Sequence, residues 1–152
     1  MIYIGITAAI FISDFLIKNH MERTLAEGEE KRKMKGFLLL RMHHNKGAFL
    51  NAGQKKRPVV VTLSVLLTIG TAAVFALSLG TRGNGMFKAG LSMLLGGAFS
   101  NTYDRLKRKY VVDYFSFPVK WKWFSRIVFN LSDFGIIIGA LVAALAMGKG
   151  RR

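Results

Sequence analysis

A carboxylate set in an otherwise apolar stretch is the feature of this sequence that most needs a reason. Residues 127–147 carry a single charge, Asp133. An ionisable side chain in such a stretch costs at least about 2.5 kcal/mol on insertion scales, so it marks a functional site with a partner to be named. The chain has four aspartates, Asp14, Asp104, Asp113 and Asp133, and none stands in an ordinary hydrophilic loop. Asp113 lies within Val111-Val112-Asp113-Tyr114-Phe115 and is the natural partner. Two carboxylates forced together cannot both ionise, so one keeps a proton to donate while the other deprotonates a water. Such a pair can hydrolyse a peptide bond; which member is acid and which base stays open, because a coupled pair titrates as a unit.

Polar neighbours gather around these residues. Asn101, Asp104 and Arg105 are spaced i, i+3, i+4 and share a helix face, Asn130 and Asp133 repeat the three-residue spacing, and Asp14 and Lys18 are four apart, as in an intrahelical ion pair. Each also has a plainer reading. Asp14 with Lys18 serves equally well as a structural ion pair, Asp104 beside Arg105 is more often a helix-terminal salt bridge, and Asn45 in Asn45-Lys46-Gly47 is by itself a turn residue. Asp133, one or two turns inside its apolar stretch, has no obvious structural role, and Asp113 gains its weight from Asp133.

These residues need elements to position them. The chain is 152 residues long, one domain's worth, and it is 51% hydrophobic yet 20% charged, which requires the apolar residues to be segregated. They are: residues 58–81 hold no charge, 127–147 hold only Asp133, and 1–17 hold only Asp14. With 86–103, charged only at Lys88, these blocks predict four membrane spans at about 1–18, 58–80, 86–104 and 127–147. The first and third are the weakest, since residues 89–103 alone would rise only about 22 Å against a hydrocarbon core of about 30 Å. Residues 19–35 read most simply as a solvated helix or loop. Within 36–53, two apolar runs around an Asn-x-Gly turn predict a small β element. Pro58 opens the second helix, and Gly90, Gly96, Gly97 and Ala98 would let neighbouring helices approach the third closely. In an up-and-down bundle all four aspartates then fall toward one membrane face.

Several classes are excluded. Without cysteine there is no disulfide, thiolate metal site or cysteine nucleophile, and His20, His43 and His44 lack zinc-ligand spacing, so neither metal nor cofactor is expected. The net charge of +15 sits in loops between spans, where it meets anionic lipid rather than nucleic acid. The first span lacks the basic n-region and cleavage site of a secretory signal, so a retained helix is expected.

The motifs come in ordered blocks that resemble the lipoprotein signal peptidase, or signal peptidase II, family. Ser13-Asp14-Phe15-Leu16-Ile17-Lys18 resembles its Asp-x-x-x-Lys, and Asn45-Lys46-Gly47-Ala48-Phe49 its Asn-x-Gly-Ala-Ala-Phe. Residues 96–105, Gly-Gly-Ala-Phe-Ser-Asn-Thr-Tyr-Asp-Arg, with Val111-Val112-Asp113-Tyr114-Phe115 resemble its third block, and Phe129-Asn130-Leu131-Ser132-Asp133 its Phe-Asn-x-Ala-Asp. The resemblance implies a single domain over 1–152, a mainly α, four-transmembrane-helix bundle with a small extracytoplasmic β-cradle at about 36–53. It implies an aspartyl endopeptidase of the bacterial cytoplasmic membrane that cuts prolipoproteins before a diacylglyceryl-modified cysteine. The catalytic pair would be Asp113 and Asp133, with Asp14, Lys18, Asn45, Asn101, Asp104, Arg105 and Asn130 in support. The partners expected are lipidated prolipoproteins and membrane lipids, with no nucleic acid, and the protein is expected as a monomer.

The chain departs from that pattern. One alanine is missing between Gly47 and Phe49, Ser100 replaces a usual glycine, Ser132 and Phe134 flank Asp133 where Ala and usually Ser are expected, and 117–126 interleaves Trp121 and Trp123 with basic residues. The departures around Gly47 and Ser132 motivate an alternative, a catalytically silent paralogue that binds lipidated peptides; an ion carrier is disfavoured because the aspartates cluster at one face. Loop charge also conflicts with the resemblance. Eighteen basic residues (11 in 18–57, 7 in 105–126) lie on the aspartate side against 5 on the other, so the positive-inside rule puts the aspartates in the cytoplasm while the family puts them outside.

Overall fold

The computed structural model describes residues 1–33, 36–48 and 53–149. It is mainly helical, with helices α1 (Ile2–Thr24), α2 (Arg57–Leu79), α3 (Gly85–Lys107) and α4 (Leu131–Lys149). A three-stranded antiparallel sheet of order β1-β2-β3 joins Glu30–Lys33 (β1), Leu38–Asn45 (β2) and Val111–Ser116 (β3). Among the described residues, three helical segments, Ile2–Thr24, Arg57–Leu79 and Leu131–Gly148, are long and apolar enough to cross a membrane. At about 1.5 Å per residue the 23 residues of α1 or α2 rise roughly 35 Å, enough for a hydrocarbon core. The outward faces of α2 and α4 leave Leu63, Leu66, Ile137 and Leu141 uncovered, as a lipid-facing surface would. α3 is different: it carries Lys88, Asp104, Arg105 and Lys107, and it is the helix against which the others pack.

Small residues set that packing. A Cβ on Gly90 would lie 2.5 Å from the Ala143 nitrogen, one on Gly97 2.3 Å from the Ser132 carbonyl, and one on Gly139 2.4 Å from the Leu94 nitrogen. The α3–α4 crossing is therefore closed to any side chain at these positions. Gly96 performs the same service toward α1, with the Thr7 carbonyl 2.8 Å from its would-be Cβ.

Three sequence expectations need correction. Residues 19–33 are more than a solvated helix or loop: α1 continues to Thr24, its buried Met21 joins Met42, Val112 and Tyr114 in a core, and Glu30–Lys33 pairs with β2. The sheet also recruits β3 from beyond the 36–53 window, while residues 49–52, including Phe49 of the Asn-x-Gly block, lie outside the described residues. Finally, α4 starts at Leu131, so Asp133 is in its first turn rather than one or two turns inside.

Candidate active site

Strand alternation delivers the first carboxylate. Val111 and Asp113 face a cavity of about 370 Å³, while Val112 and Tyr114 point the other way into the core with Met21, Leu25 and Met42. A short link brings the second. Phe129 bridges to Phe115 through paired backbone hydrogen bonds, Phe129 N to Phe115 O at 2.7 Å and Phe115 N to Phe129 O at 3.1 Å. The chain then turns straight into α4, which sets Asn130 beside Asp113 and puts Asp133 on the same cavity wall.

Three asparagines hold the two carboxylates. Asn45 Nδ2 donates to Asp113 Oδ2 at 3.1 Å, Asn130 Nδ2 to Asp113 Oδ1 at 2.7 Å, and Asn101 Nδ2 to Asp133 Oδ1 at 3.0 Å. The other end of each amide is occupied by a donor, which fixes the NH₂ group toward the carboxylate. Gly47 N donates to Asn45 Oδ1, Asp133 N to Asn130 Oδ1 and Lys18 Nζ to Asn101 Oδ1. Asn130 and Asp133 form a reciprocal capping box, since Asn130 N also donates to Asp133 Oδ2 at 3.1 Å. Asp133 thus has a structural role that the sequence pattern did not reveal.

Burial pushes the Asp113 carboxyl up to about 8, and the neighbouring Asp133 charge adds to the shift against the opposing hydrogen bonds from Asn45 and Asn130. Arg105 borders the same cavity, donating to the carbonyls of Asn101 at 3.2 Å and Gly47 at 3.3 Å. Its buried Nε has no hydrogen-bond partner among the described residues. The cavity therefore combines two carboxylates, the oriented amides of Asn45 and Asn101 and the guanidinium of Arg105, above an apolar floor that includes Leu67, Leu94 and Ile136.

The remaining expected site residues lie behind this wall. Asp14, Lys18 and Asp104 are essentially inaccessible. Lys18 Nζ lies 2.7 Å from Asp14 Oδ2 and 2.9 Å from Asp104 Oδ2. Asp104 turns away from Arg105, the partner suggested by adjacency, and takes Arg108 Nε at 2.9 Å and Val112 N at 3.2 Å instead. The face shared by Asn101, Asp104 and Arg105 in the sequence is therefore split: Asn101 and Arg105 meet the cavity, Asp104 meets Lys18.

Asp14 is the hub of the buried set. It accepts from Ser100 Oγ at 2.6 Å, Ser132 Oγ at 2.5 Å, the Tyr114 hydroxyl at 3.0 Å and Leu131 N at 3.1 Å. An anion at that place also complements the N-terminus of α4. Ser100 and Ser132, two of the departures, are thus hydroxyls spent on one carboxylate, and they face away from the cavity. Phe134, a third, packs with Phe115, Phe117 and Phe129 at ring separations of 5.6, 6.5 and 5.7 Å. Tyr114 was missed from sequence, although a tyrosine in a buried strand needs a partner for its hydroxyl.

Comparison with known proteins follows the geometry. A family model described as signal peptidase (SPase) II matches residues 6–149. A lipoprotein signal peptidase of Lactobacillus johnsonii is 30% identical over 145 residues, covering 93% of this chain and 88% of its own. One of Ralstonia nicotianae is 33% identical over 147 residues, covering 92% and 80%. A solved bacterial membrane enzyme shares the fold with a TM-score of 0.81 at 23% identity, over 97% of this chain and 87% of that one.

Proposed function

The chain belongs to the signal peptidase II family, and on that premise we propose that it removes signal peptides from bacterial prolipoproteins as an aspartyl endopeptidase, with Asp113 and Asp133 as the catalytic pair. The observation that carries this reading is the convergence of both carboxylates on one cavity, each held by asparagine amides. Water enters between them. Asp133, with the Asn130 amide and the N-terminus of α4 to complement its negative charge, takes a proton from the water as its oxygen bonds to the scissile carbonyl carbon. Asp113, which burial keeps protonated at neutral pH, gives its proton to the carbonyl oxygen. The tetrahedral intermediate then collapses: the C–N bond breaks, the new amine takes the proton held by Asp133, and Asp113 recovers its own from the collapsing hydroxyl. The Arg105 guanidinium, which borders the cavity, holds substrate backbone or the developing charge.

We read the protein as a monomeric four-helix bundle of the bacterial cytoplasmic membrane, with α3 as the fourth span, shielded by the other three, and the sheet with the aspartates on the extracytoplasmic side. The apolar floor of the cavity suits the acyl chains of a diacylglyceryl cysteine. No observation favours the silent paralogue, because Ser100, Ser132 and Phe134 are all engaged away from the cavity.

Purified protein should convert a diacylglyceryl-modified prolipoprotein to two products on a gel and leave the unmodified precursor intact. Binding without turnover would overturn the reading. Orientation has its own test, since the chain is free of cysteine: Lys122→Cys should react with an impermeant maleimide added outside the cell, and labelling only after lysis would place the aspartates in the cytoplasm.

A further inference from the structure

The stretch between β3 and α4 holds both tryptophans of the chain, Trp121 and Trp123, and the peptidase reading uses neither. Trp121 is 68% exposed and Trp123 53%, with ring centroids 5.6 Å apart. Lys120, Lys122 and Arg126 alternate with them and are exposed as well. These are not side chains left over from a loose loop. The Ser125 amide donates to the Trp121 carbonyl at 3.1 Å and that of Arg126 to the Trp123 carbonyl at 3.3 Å, which closes a turn. On the inner side Phe117 and Phe124 stack on each other at 6.3 Å, and both pack on Phe129. The rings facing inward thus bolt the segment to the strand and to the first turn of α4, while the rings facing outward are held away from the core.

What covers those outward rings follows from topology and charge. Arg126 precedes Leu131, the first residue of α4, by five positions (131 − 126), and α4 is among the helices apolar enough to cross a membrane. The segment therefore stands at the bilayer boundary. Tryptophan concentrates at that depth, where its ring meets the acyl edge and its N–H meets water, and lysine or arginine beside it meets anionic head groups. The charge conflict noted above bears on the same point, since an excess of basic residues on this side is matched by anionic lipid.

We propose that residues 117–126 form an interfacial foot that seats on anionic lipid, with Trp121 and Trp123 at the acyl boundary and Lys120, Lys122 and Arg126 on lipid phosphates. Because the foot is bolted through Phe117 and Phe134 next to Asp133, seating it fixes the depth of the site in the bilayer. The inference draws on α4 crossing the membrane but not on the peptidase reading.

Both tryptophans lie in this segment, so the emission of the intact wild-type protein reports on the foot alone. The protein would be reconstituted in vesicles of phosphatidylcholine with or without phosphatidylglycerol, each with and without brominated acyl chains. Blue-shifted emission, quenched by bromine and more strongly so with phosphatidylglycerol, is expected. Lys120→Gln, Lys122→Gln and Arg126→Gln should each lower the docked-to-undocked ratio roughly fivefold, and 1 M salt should mimic them. Water-like, unquenched emission in both lipids would overturn the proposal, and equal quenching in both would overturn the anionic partner. A blue shift that appears only when a prolipoprotein is added would assign the segment to substrate instead. None of these outcomes depends on cleavage.

Discussion

Asn130 and Asp133 hydrogen-bond each other twice, backbone N–H to side chain in both directions, at 3.1 and 2.9 Å. The residue that would activate water is thus also the residue that starts α4. The two roles separate by substitution. Asp133→Asn keeps an oxygen to accept from the Asn130 amide, so its melting temperature should stay close to wild type. Asp133→Ala removes the acceptor and should lose about 1 kcal/mol, as N-terminal caps do. Equal melting temperatures for the two variants would mean that the box contributes nothing.

The pH dependence has a definite sign. The folded Asp113 carboxyl titrates at about 8 against an ordinary 3.8, so the folded chain holds more protons than the unfolded chain between those values. Burial of this group therefore costs stability progressively as pH rises from about 4 to about 8, and no further above that. Asp113→Asn removes the effect. Thermal unfolding across that window should show wild type falling relative to the variant, and a constant gap would contradict the assignment. Turnover should likewise fall as pH passes about 8, where the pair loses the proton it must donate.

Lys18 and Arg105 should fail in different ways. Lys18→Met leaves Asp14 buried without a cation and Asp104 with Arg108 alone, a loss on the order of 3–5 kcal/mol. Little folded protein should be recovered from the membrane. Arg105→Lys keeps the charge but not the guanidinium fork, so it should fold normally and lose turnover. A well-folded, inactive Lys18→Met would move that lysine from the scaffold into the reaction.

Helix contact gives a third contrast. Gly97→Ala drives a methyl against the Ser132 carbonyl and Ile136 and should cost about 1–3 kcal/mol while displacing Asp133. Gly70→Ala, with nothing within 4 Å of its Cβ, should be neutral or better. Comparable melting temperatures for the two would show that α3 and α4 are free to separate.

How far the sequence could be read differs by residue. Asp133 stood out because a carboxylate in an apolar stretch has few excuses, Asp113 gained its weight from Asp133, and Asn45, by itself a turn residue, entered the set only through the family resemblance. The capping box was hidden because the apolar stretch starts at 127 while the helix starts at 131, and hydropathy does not see where backbone turns. Asp104 was misread because its partners, Lys18 and Arg108, depend on how α1 leans on α3 and how the chain leaves α3, and neither is encoded by adjacency. Ser100 and Ser132 looked like losses from a pattern; they became a set only when α1 brought Asp14 between them.

The sharpest measurement is single-turnover cleavage of a diacylglyceryl prolipoprotein by Asp113→Asn, Asp133→Asn and the double variant. General acid–base groups contribute about 10²–10⁴-fold each, but groups that act as one unit do not multiply. Each single variant should lose at least that much, and the double variant should be no slower than the worse single. A single variant that keeps turnover within about tenfold of wild type, or a double loss equal to the product of the two, would show that these carboxylates do not share one water.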